Sequence, residues 1–304
     1  MEDVRLKRKS IELGHLEAWL TKGRGSFHFE NLTGLHSLLA GVLWLTGLRR
    51  RGERNALKPV IRETRFSFAS LPQRFSGFKI LHLSDIHADG LPGLAERICQ
   101  TIDGLEVDLC LLNGDYRFEV YGPSHNVYYN MEKIFSHIKS RHGIYGILGN
   151  HDFAEKVPVL EQMGVKMLIN ESLELQNGQD RVWLVGLDDP HYYGCDDLPG
   201  ALAGVPEDGF KILLVHTPEM IKEADEQGIN LYLCGHTHGG QICFPLIGPL
   251  WLNANCPRKY ARAGKWRYGN VQGYTSAGVG SSCVPVRFLC PPEIGLIELQ
   301  RREE

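Results

Sequence analysis

From Pro59 onward the sequence predicts an α/β fold. Short apolar runs of strand length recur at Phe78 to Leu83, Val107 to Leu112, Ile144 to Leu148, Val182 to Leu187, Ile212 to Val215 and Ile229 to Leu233. Segments with helical spacing lie between several of them, at Leu91 to Ile102, Val127 to Ile138 and Pro218 to Glu226. No internal repeat, low-complexity tract or linker interrupts residues 59–300. The simplest division is an N-terminal appendage over 1–58 and one α/β domain over 59–304.

Within that domain, Thr217 stands where a helix N-cap is expected, with Pro218 at the first helical position, where a missing N–H costs nothing. The tail from Tyr274 to Leu299 reads as closing strands, turned at Gly278, Gly280, Pro285, Pro291 and Pro292. The 304 residues are 43% hydrophobic, 9% aromatic and 23% charged. That is a globular average, and it excludes a disordered chain, a collagen-like repeat and a polytopic membrane protein. A formal net charge of -3 supplies no overall basic field, so no stable nucleic-acid partner is expected. The 8 cysteines form no CxxC pair, which speaks against a zinc ribbon and a disulfide-stapled secreted domain and for a reducing compartment.

Charge is nevertheless segregated at the N-terminus. Arg5, Lys7, Arg8 and Lys9 open the chain, and Arg49, Arg50, Arg51, Arg54, Lys58, Arg62 and Arg65 follow an uncharged run from Asn31 to Leu48. That run falls short of the roughly 20 apolar residues of a membrane span. On a helical wheel, Leu32, Leu35, Leu38, Leu39, Val42, Leu43 and Leu45 share one arc, while Thr33, His36, Ser37, Gly41 and Trp44 fall on the other. Residues 31–54 therefore suit a helix lying in a membrane interface with arginines on anionic head groups. A span, or a helix packed on its own domain, are the other readings. A cleavable signal peptide is disfavoured, because the clustered arginines follow the apolar run. Basic residues on that side favour a domain at the cytoplasmic face of the inner membrane. Removing residues 1–54 is then expected to leave chemistry on a small soluble substrate unchanged.

The ends of the apolar runs carry the chemistry. Lys79 to Ser84 leads into Asp85-Ile86-His87; Leu109 to Asn113 leads into Gly114-Asp115; Ile147-Leu148 leads into Gly149-Asn150-His151-Asp152. Ile212 to Val215 leads into His216, and Leu231 to Cys234 into Gly235-His236-Thr237-His238-Gly239-Gly240. In an open α/β sheet the C-terminal strand ends form the crevice where ligands bind. Residues two apart on an extended chain face the same side, so both members of Asp85-x-His87 and of His236-x-His238 can reach one site. Two aspartates, one asparagine and four histidines offer only O and N donors, a set that suits divalent Mn, Fe or Zn. The glycines at 114, 149, 235, 239 and 240 let the backbone turn sharply beside them. Each block is commonplace alone; their succession at five strand ends is not.

With blocks D-x-H, G-D, G-N-H-D, H and G-H-x-H all present, the sequence resembles the calcineurin-like metallophosphoesterase superfamily over residues 77–300. The stretch Gly235 to Gln241, with Ser276-Ala277-Gly278-Val279-Gly280 and Cys290-Pro291-Pro292-Glu293-Ile294, is similar to its bacterial membrane-associated, phosphodiesterase-like branch. The resemblance implies a four-layer α-β-β-α sandwich of two mixed β-sheets. It also implies two divalent metal ions, one held by Asp85, His87 and His238 and the other by Asn150, His216 and His236, with Asp115 bridging them. His151 is left over from coordination and is placed to protonate the leaving group as general acid or to stabilise charge on the phosphoryl oxygens, with Asp152 as a candidate orienter of its ring. Many members carry a further Asp after Gly-Asp, where this chain has Tyr116-Arg117-Phe118-Glu119.

Three candidates for substrate contact remain. Arg117 reads equally as a phosphate partner or a surface ion-pair partner. His191 belongs to the polar loop Asp188 to Gly194, which either lines the cleft or is an ordinary surface turn. Arg258 lies in Ile242 to Tyr268, where Trp251 and Trp266 alternate with basic residues in a pattern that suits a head-group phosphate at a membrane, or single-stranded nucleic acid. The expected reaction is hydrolysis of a phosphodiester or pyrophosphate bond by metal-activated water. The expected substrate is a membrane lipid or a lipid-linked nucleotide such as UDP-2,3-diacylglucosamine. A soluble nucleotide or nucleic-acid phosphodiesterase and a non-catalytic scaffold are the alternatives.

Overall fold

The computed structural model describes residues 6–14 and 33–302. Helix α1 covers 6–14, and α2 (Thr33–Leu45) and α3 (Arg49–Ala56) precede strand β1 (Val60–Phe68). The chain continues through β2 (Lys79–Leu83), α4 (Leu94–Ile102), β3 (Glu106–Val107), β4 (Leu109–Leu112), α5 (His125–Ser136), β5 (Lys139–Ser140), β6 (Ile144–Gly146), α6 (Lys156–Gln162) and β7 (Val165–Met167). There follow β8 (Glu171–Asn177), β9 (Asp180–Gly186), α7 (Leu198–Ala201), β10 (Lys211–Leu214), α8 (Ile221–Glu226) and β11 (Leu231–Cys234). The last elements are β12 (Cys243–Phe244), β13 (Gly248–Pro249), α9 (Arg258–Ala261), β14 (Gly264–Tyr268), β15 (Val271–Thr275) and β16 (Glu293–Arg301).

Two six-stranded sheets result, ordered β1-β16-β2-β4-β6-β7 and β14-β15-β11-β10-β9-β8, with β3-β5 and β12-β13 as small ribbons. Alternation along each strand sorts side chains into layers. Ile80, Leu109, Leu111, Ile212, Leu214, Leu231 and Leu233 pack together between the sheets, joined by Phe66, Phe68 and Phe210. The intervening Leu81, Leu83, Cys110 and Leu112 face Ile98, Met131 and Leu160 of α4, α5 and α6. On the other side Leu213, Val215, Tyr232 and Cys234 face Leu198 and Ala224 of α7 and α8. This is the expected four-layer α-β-β-α sandwich, because both faces of each central strand are apolar and each needs a cover. Burying one such side chain contributes roughly 1.5 to 3 kcal/mol.

Register then fixes the crevice. Leu83 lies opposite Leu112, Leu112 opposite Gly146, and Leu214 opposite Leu233, all in parallel pairs. Polar residues just past these positions therefore emerge at one end of each sheet. Asn113 ties those ends together, its side-chain amide donating to the carbonyls of Val215 (2.8 Å) and Leu233 (3.1 Å).

Several expectations change. Helix α8 begins at Ile221, with Met220 and not Thr217 before it; Thr217 instead uses its carbonyl to accept the Tyr232 hydroxyl at 2.7 Å. Trp266 is no surface residue: it packs against Tyr232 and Tyr260, and its indole N–H donates to Thr275 at 2.9 Å. Among the described residues, no helix is long and apolar enough to cross a membrane. In α2 the leucine arc is divided. Leu43 packs on Val284 and Val286, while Leu38, Leu39, Val42 and Leu45 stay exposed, as does Trp44 from the opposite arc. Residues 31–32 of that segment lie outside the described residues.

The division after residue 58 does not coincide with a break in packing. Gly52 of α3 sits against Val286, its carbonyl accepts the Arg287 N–H at 3.1 Å, and the Asn55 amide donates to the Arg287 carbonyl at 2.9 Å. A Cβ at Gly52 would lie 2.6 Å from the Val286 Cβ, whereas one at Gly41 in α2 would meet nothing within 4 Å. Gly52→Ala should thus lower stability by about 1 to 3 kcal/mol despite the gain in helix propensity, and Gly41→Ala should raise it by up to about 1 kcal/mol. Thermal unfolding of both variants checks this; a Gly52→Ala protein as stable as the parent would mean that α3 is not seated on this face.

Candidate metal centre and active-site cavity

The five sequence blocks converge. One buried group comprises Asp85, His87 and His238, and a second comprises Asp115, His216 and His236; within each, ligand atoms lie within 4.8 Å of one another. Asn150 joins the second group, its Oδ1 at 3.0 Å from His216 Nε2 and 2.9 Å from His236 Nδ1. Asp115 stands between the two, with Oδ2 at 3.3 Å from His216 Nε2 and 3.7 Å from His87 Nε2. Asp85 Oδ1 lies 3.5 Å from His238 Nε2.

The backbone is bent to achieve this. Asp85 (φ 53), His87 (φ 42), Asp115 (φ 57), His236 (φ 65) and His238 (φ 50) all adopt left-handed conformations that side-chain-bearing residues rarely take. Glycine makes the bends possible at the tightest point: a Cβ on Gly114 (φ 82) would lie 2.4 Å from the Gly149 amide nitrogen. A Cβ on Gly149 would lie 2.2 Å from Asp115 Oδ1.

Donors and acceptors are unbalanced here. His87 Nδ1 faces the Arg117 carbonyl at 2.5 Å and His216 Nδ1 faces the Asn113 carbonyl at 2.7 Å. Those carbonyls require the ring protons on Nδ1, leaving Nε2 of both rings as lone pairs. In the second group a lone pair, an amide oxygen and a carboxylate are thus turned on one point. Only a proton or a cation satisfies such an arrangement. Burial by itself pushes the His216 imidazole down, but Asp115 and Asp85 outweigh it and raise it to about 10. Burial likewise favours a neutral Asp115, yet His216, His151 and His87 hold its carboxyl well below the ordinary range. Asp85 is raised to about 6, by burial first and then by Asp115. Burial lowers His87 to about 3 and, with neighbouring imidazoles, drives His236 and His238 well below 6.5. Once a cation takes the place of the His216 proton, neutral imidazoles stand beside ionised carboxylate, the ligand forms a divalent cation needs, so the residues present fit two such ions.

A cavity of about 340 Å³ opens over these groups. Asp115, His151, His236 and His238 form one end; Leu39, Ile242, Phe244, Leu250 and Trp251 form much of the rest. His151 is on its wall, with Nδ1 at 2.6 Å from the Phe118 carbonyl. That carbonyl, and not Asp152, orients the ring. The Asp152 carboxylate instead accepts the backbone N–H groups of Asp115 (2.7 Å), Tyr116 (3.1 Å) and Gly149 (3.1 Å), bracing the loop from within.

Of the three candidates for substrate contact, His191 has its ring against a ligand imidazole. Its ring centroid is 4.5 Å from that of His236, and its Nδ1 pairs with Glu219 at 2.8 Å. Arg117 is buried and is not among the residues lining the cavity. Arg258 donates to the Pro249 and Leu250 carbonyls and so buttresses the rim, also without lining the cavity. Sequence reasoning missed Arg287. It is fully buried and donates to the carbonyls of His238 (3.1 Å), Gly278 (3.1 Å) and Gly280 (3.1 Å), with Nη2 3.1 Å from His238 Nδ1. Its bonds run mainly to backbone, which leaves no residue-type signature.

Comparison with known proteins agrees with this geometry. A family model described as calcineurin-like phosphoesterase matches residues 78–240. A Bacillus subtilis protein called uncharacterized metallophosphoesterase YkuE is 30% identical over 242 residues, 76% of this chain and 82% of its own length. Phosphodiesterase YaeI of Escherichia coli is 30% identical over 231 residues, covering 73% and 82% respectively. A Bos taurus protein called transmembrane protein with metallophosphoesterase domain is 31% identical over 309 residues, covering 94% of this chain and 67% of that one. These matches reach the superfamily and not its membrane-associated branch. With more than half of the chain matched by the family model and two six-stranded sheets that carry its ligand blocks at their ends, the chain belongs to the calcineurin-like phosphoesterase family and is a metal-dependent phosphoester hydrolase.

Proposed function

We propose that the chain hydrolyses a phosphodiester or pyrophosphate bond next to the hydrocarbon-bearing part of a membrane lipid or lipid-linked nucleotide. The observation that carries this reading is the cavity itself, polar and ligand-lined at one end and walled by Leu39, Ile242, Phe244, Leu250 and Trp251 at the other. The helix that supplies Leu39 also exposes Leu38, Val42 and Leu45, and the turn between Phe244 and Leu250 exposes Leu246 and Ile247. Exposed apolar side chains next in sequence to cavity-lining ones support an interaction site there. Arg50 and Arg51, exposed on the helix that follows, supply charge for anionic head groups.

In this proposal Asp85, His87 and His238 hold one ion, Asn150, His216 and His236 the other, and Asp115 both. Two divalent cations, when bound, supply Lewis-acid polarisation of the phosphoryl group and acidify a water. The chain's own part is to hold that pair and to exclude bulk water with the apolar wall. His151, fixed by the Phe118 carbonyl, donates a proton to the departing oxygen. The complete ligand set favours this over a non-catalytic scaffold.

Chelation should abolish hydrolysis of bis-p-nitrophenyl phosphate, and a divalent ion such as Mn should restore it. Asp115→Ala should lose activity together with about half or more of the bound metal, because one carboxylate serves two sites. Two metals per chain in that variant, by elemental analysis, would remove the bridge from the scheme.

His151→Ala should retain its metal while kcat falls by roughly 10² to 10⁴. The loss should be greater for an alkyl leaving group than for p-nitrophenolate, which leaves without protonation. Equal losses on both substrates would argue against the acid role.

Leu45→Asp combined with Leu246→Asp should reduce turnover of a phosphoester lipid in anionic vesicles by about tenfold or more, since each side chain forfeits roughly 1.5 to 3 kcal/mol of apolar burial. Turnover of bis-p-nitrophenyl phosphate should be unchanged. An equal fall on both substrates, or a parent protein that prefers a soluble nucleotide diester, would favour the soluble-phosphodiesterase reading.

A further inference from the structure

Among the described residues of the N-terminal basic cluster, one does not face outward. Arg8 of α1 is buried, with 1% of its surface exposed, and its guanidinium carbon lies 4.0 Å from the Tyr193 ring centroid. Nη2 donates to the Gly149 carbonyl at 3.0 Å and to the Asp152 carbonyl at 2.5 Å. Nη1 pairs with the buried carboxylate of Asp188, and Nε with Glu12 at 2.9 Å. Glu12 in turn accepts the Ala154 N–H at 2.8 Å.

Those two carbonyls bracket Asn150 and His151. The same loop is held from within by the Asp152 carboxylate, which takes the N–H groups of Gly149, Asp115 and Tyr116. Arg8 completes the other side. Its planar fork reaches two carbonyls and two carboxylates at once, four acceptors for which an ammonium has only three N–H donors on one atom. Without it the buried Asp188 carboxylate would keep only the Asp189 N–H, the Gly149 carbonyl only the Asp152 N–H at 3.4 Å, and both would lose their charged partner.

We propose that Arg8 is a positioning residue for the Gly149–Asp152 loop, so that α1 belongs to the working site. The inference rests on the roles proposed above for Asn150 and His151. It also removes the expectation that residues 1–54 are separable from chemistry on soluble substrates. Misplacement of a reacting group by about 1 Å costs up to about 100-fold in rate, and a loop freed at both carbonyls loses its single geometry.

The test uses the full chain with Arg8→Ala and Arg8→Lys. In the metal-free protein, amide exchange over 149–154 should rise by about tenfold or more in Arg8→Ala while exchange in β10 stays at the parent rate. With Mn and bis-p-nitrophenyl phosphate, kcat should fall by roughly 10- to 100-fold with KM within about twofold. Added guanidinium ion, in the millimolar range, should restore part of it by refilling the vacated space. Arg8→Lys, which keeps the charge but not the fork, should fall between parent and Arg8→Ala. If Arg8→Ala does not fold, Arg8→Lys decides alone, and parent-like loop exchange and kcat in it overturn the proposal. Exchange that rises equally in β10 and 149–154, without guanidinium rescue, also overturns it, because Arg8 would then serve general stability. The exchange arm needs neither metal nor turnover, so it reads the clamp even if His151→Ala shows that the loop has another role.

Discussion

A buried carboxylate surrounded by imidazole lone pairs is costly unless positive charge meets it. Asp85 and Asp115 are buried to within 2% of completely, amid His87, His216, His236 and His238. The rest of the structure is arranged to hold that assembly in place. Parallel pairing puts the strand ends in line, and Asn113 joins the ends of the two sheets. Left-handed backbone at five ligand-bearing positions turns the side chains inward, each at a cost of order 1 to 3 kcal/mol. Such strain persists because the surroundings over-determine it. The His87 and His216 rings are each pinned at Nδ1 by a carbonyl, Asp85 accepts the His236 N–H, and Arg287 holds the His238 turn. In the metal-free chain a proton on His216 answers the charge of Asp115. Cations that occupy the same acceptors remove the need for it.

The central strands were legible because each is an apolar run that ends abruptly in polar residues, and the ligands stand at those ends. Strand β1 was not: only Thr64, Phe66 and Phe68 are buried along Val-Ile-Arg-Glu-Thr-Arg-Phe-Ser-Phe, and the strand lies at the sheet edge. Trp266 shows a misread pattern. Interleaved with Lys265 and Arg267 it resembled a basic aromatic surface, yet period-two alternation in β14 buries the indole and turns both charges outward. The orienting groups left no trace in the sequence because they act through backbone. The Phe118 carbonyl is as available on any residue, and nothing in a run of basic residues distinguishes Arg8 from Lys9. Asp152 was noticed for its place beside His151, but a carboxylate next to a ring in sequence points elsewhere when the loop turns between them.

The N-terminal segment engages the domain on two sides of the same site. Through Arg8 and Glu12, α1 holds the loop that carries Asn150 and His151. Through Leu43 and Gly52, α2 and α3 rest on Val284 and Val286, the stretch that leads to Arg287 and the turn at His238. Leu39 from α2 also completes the apolar wall of the cavity. Leu38, Val42 and Leu45 of the same helix stay uncovered. Among the described side chains of this helix, only Leu43 is buried, and the seat of α2 is shallow compared with the strand-to-strand packing beneath it. Helix α2 thus adds an apolar wall residue to a centre whose ligands are fixed by buried hydrogen bonds, so wall and charge-holding region come from different parts of the chain.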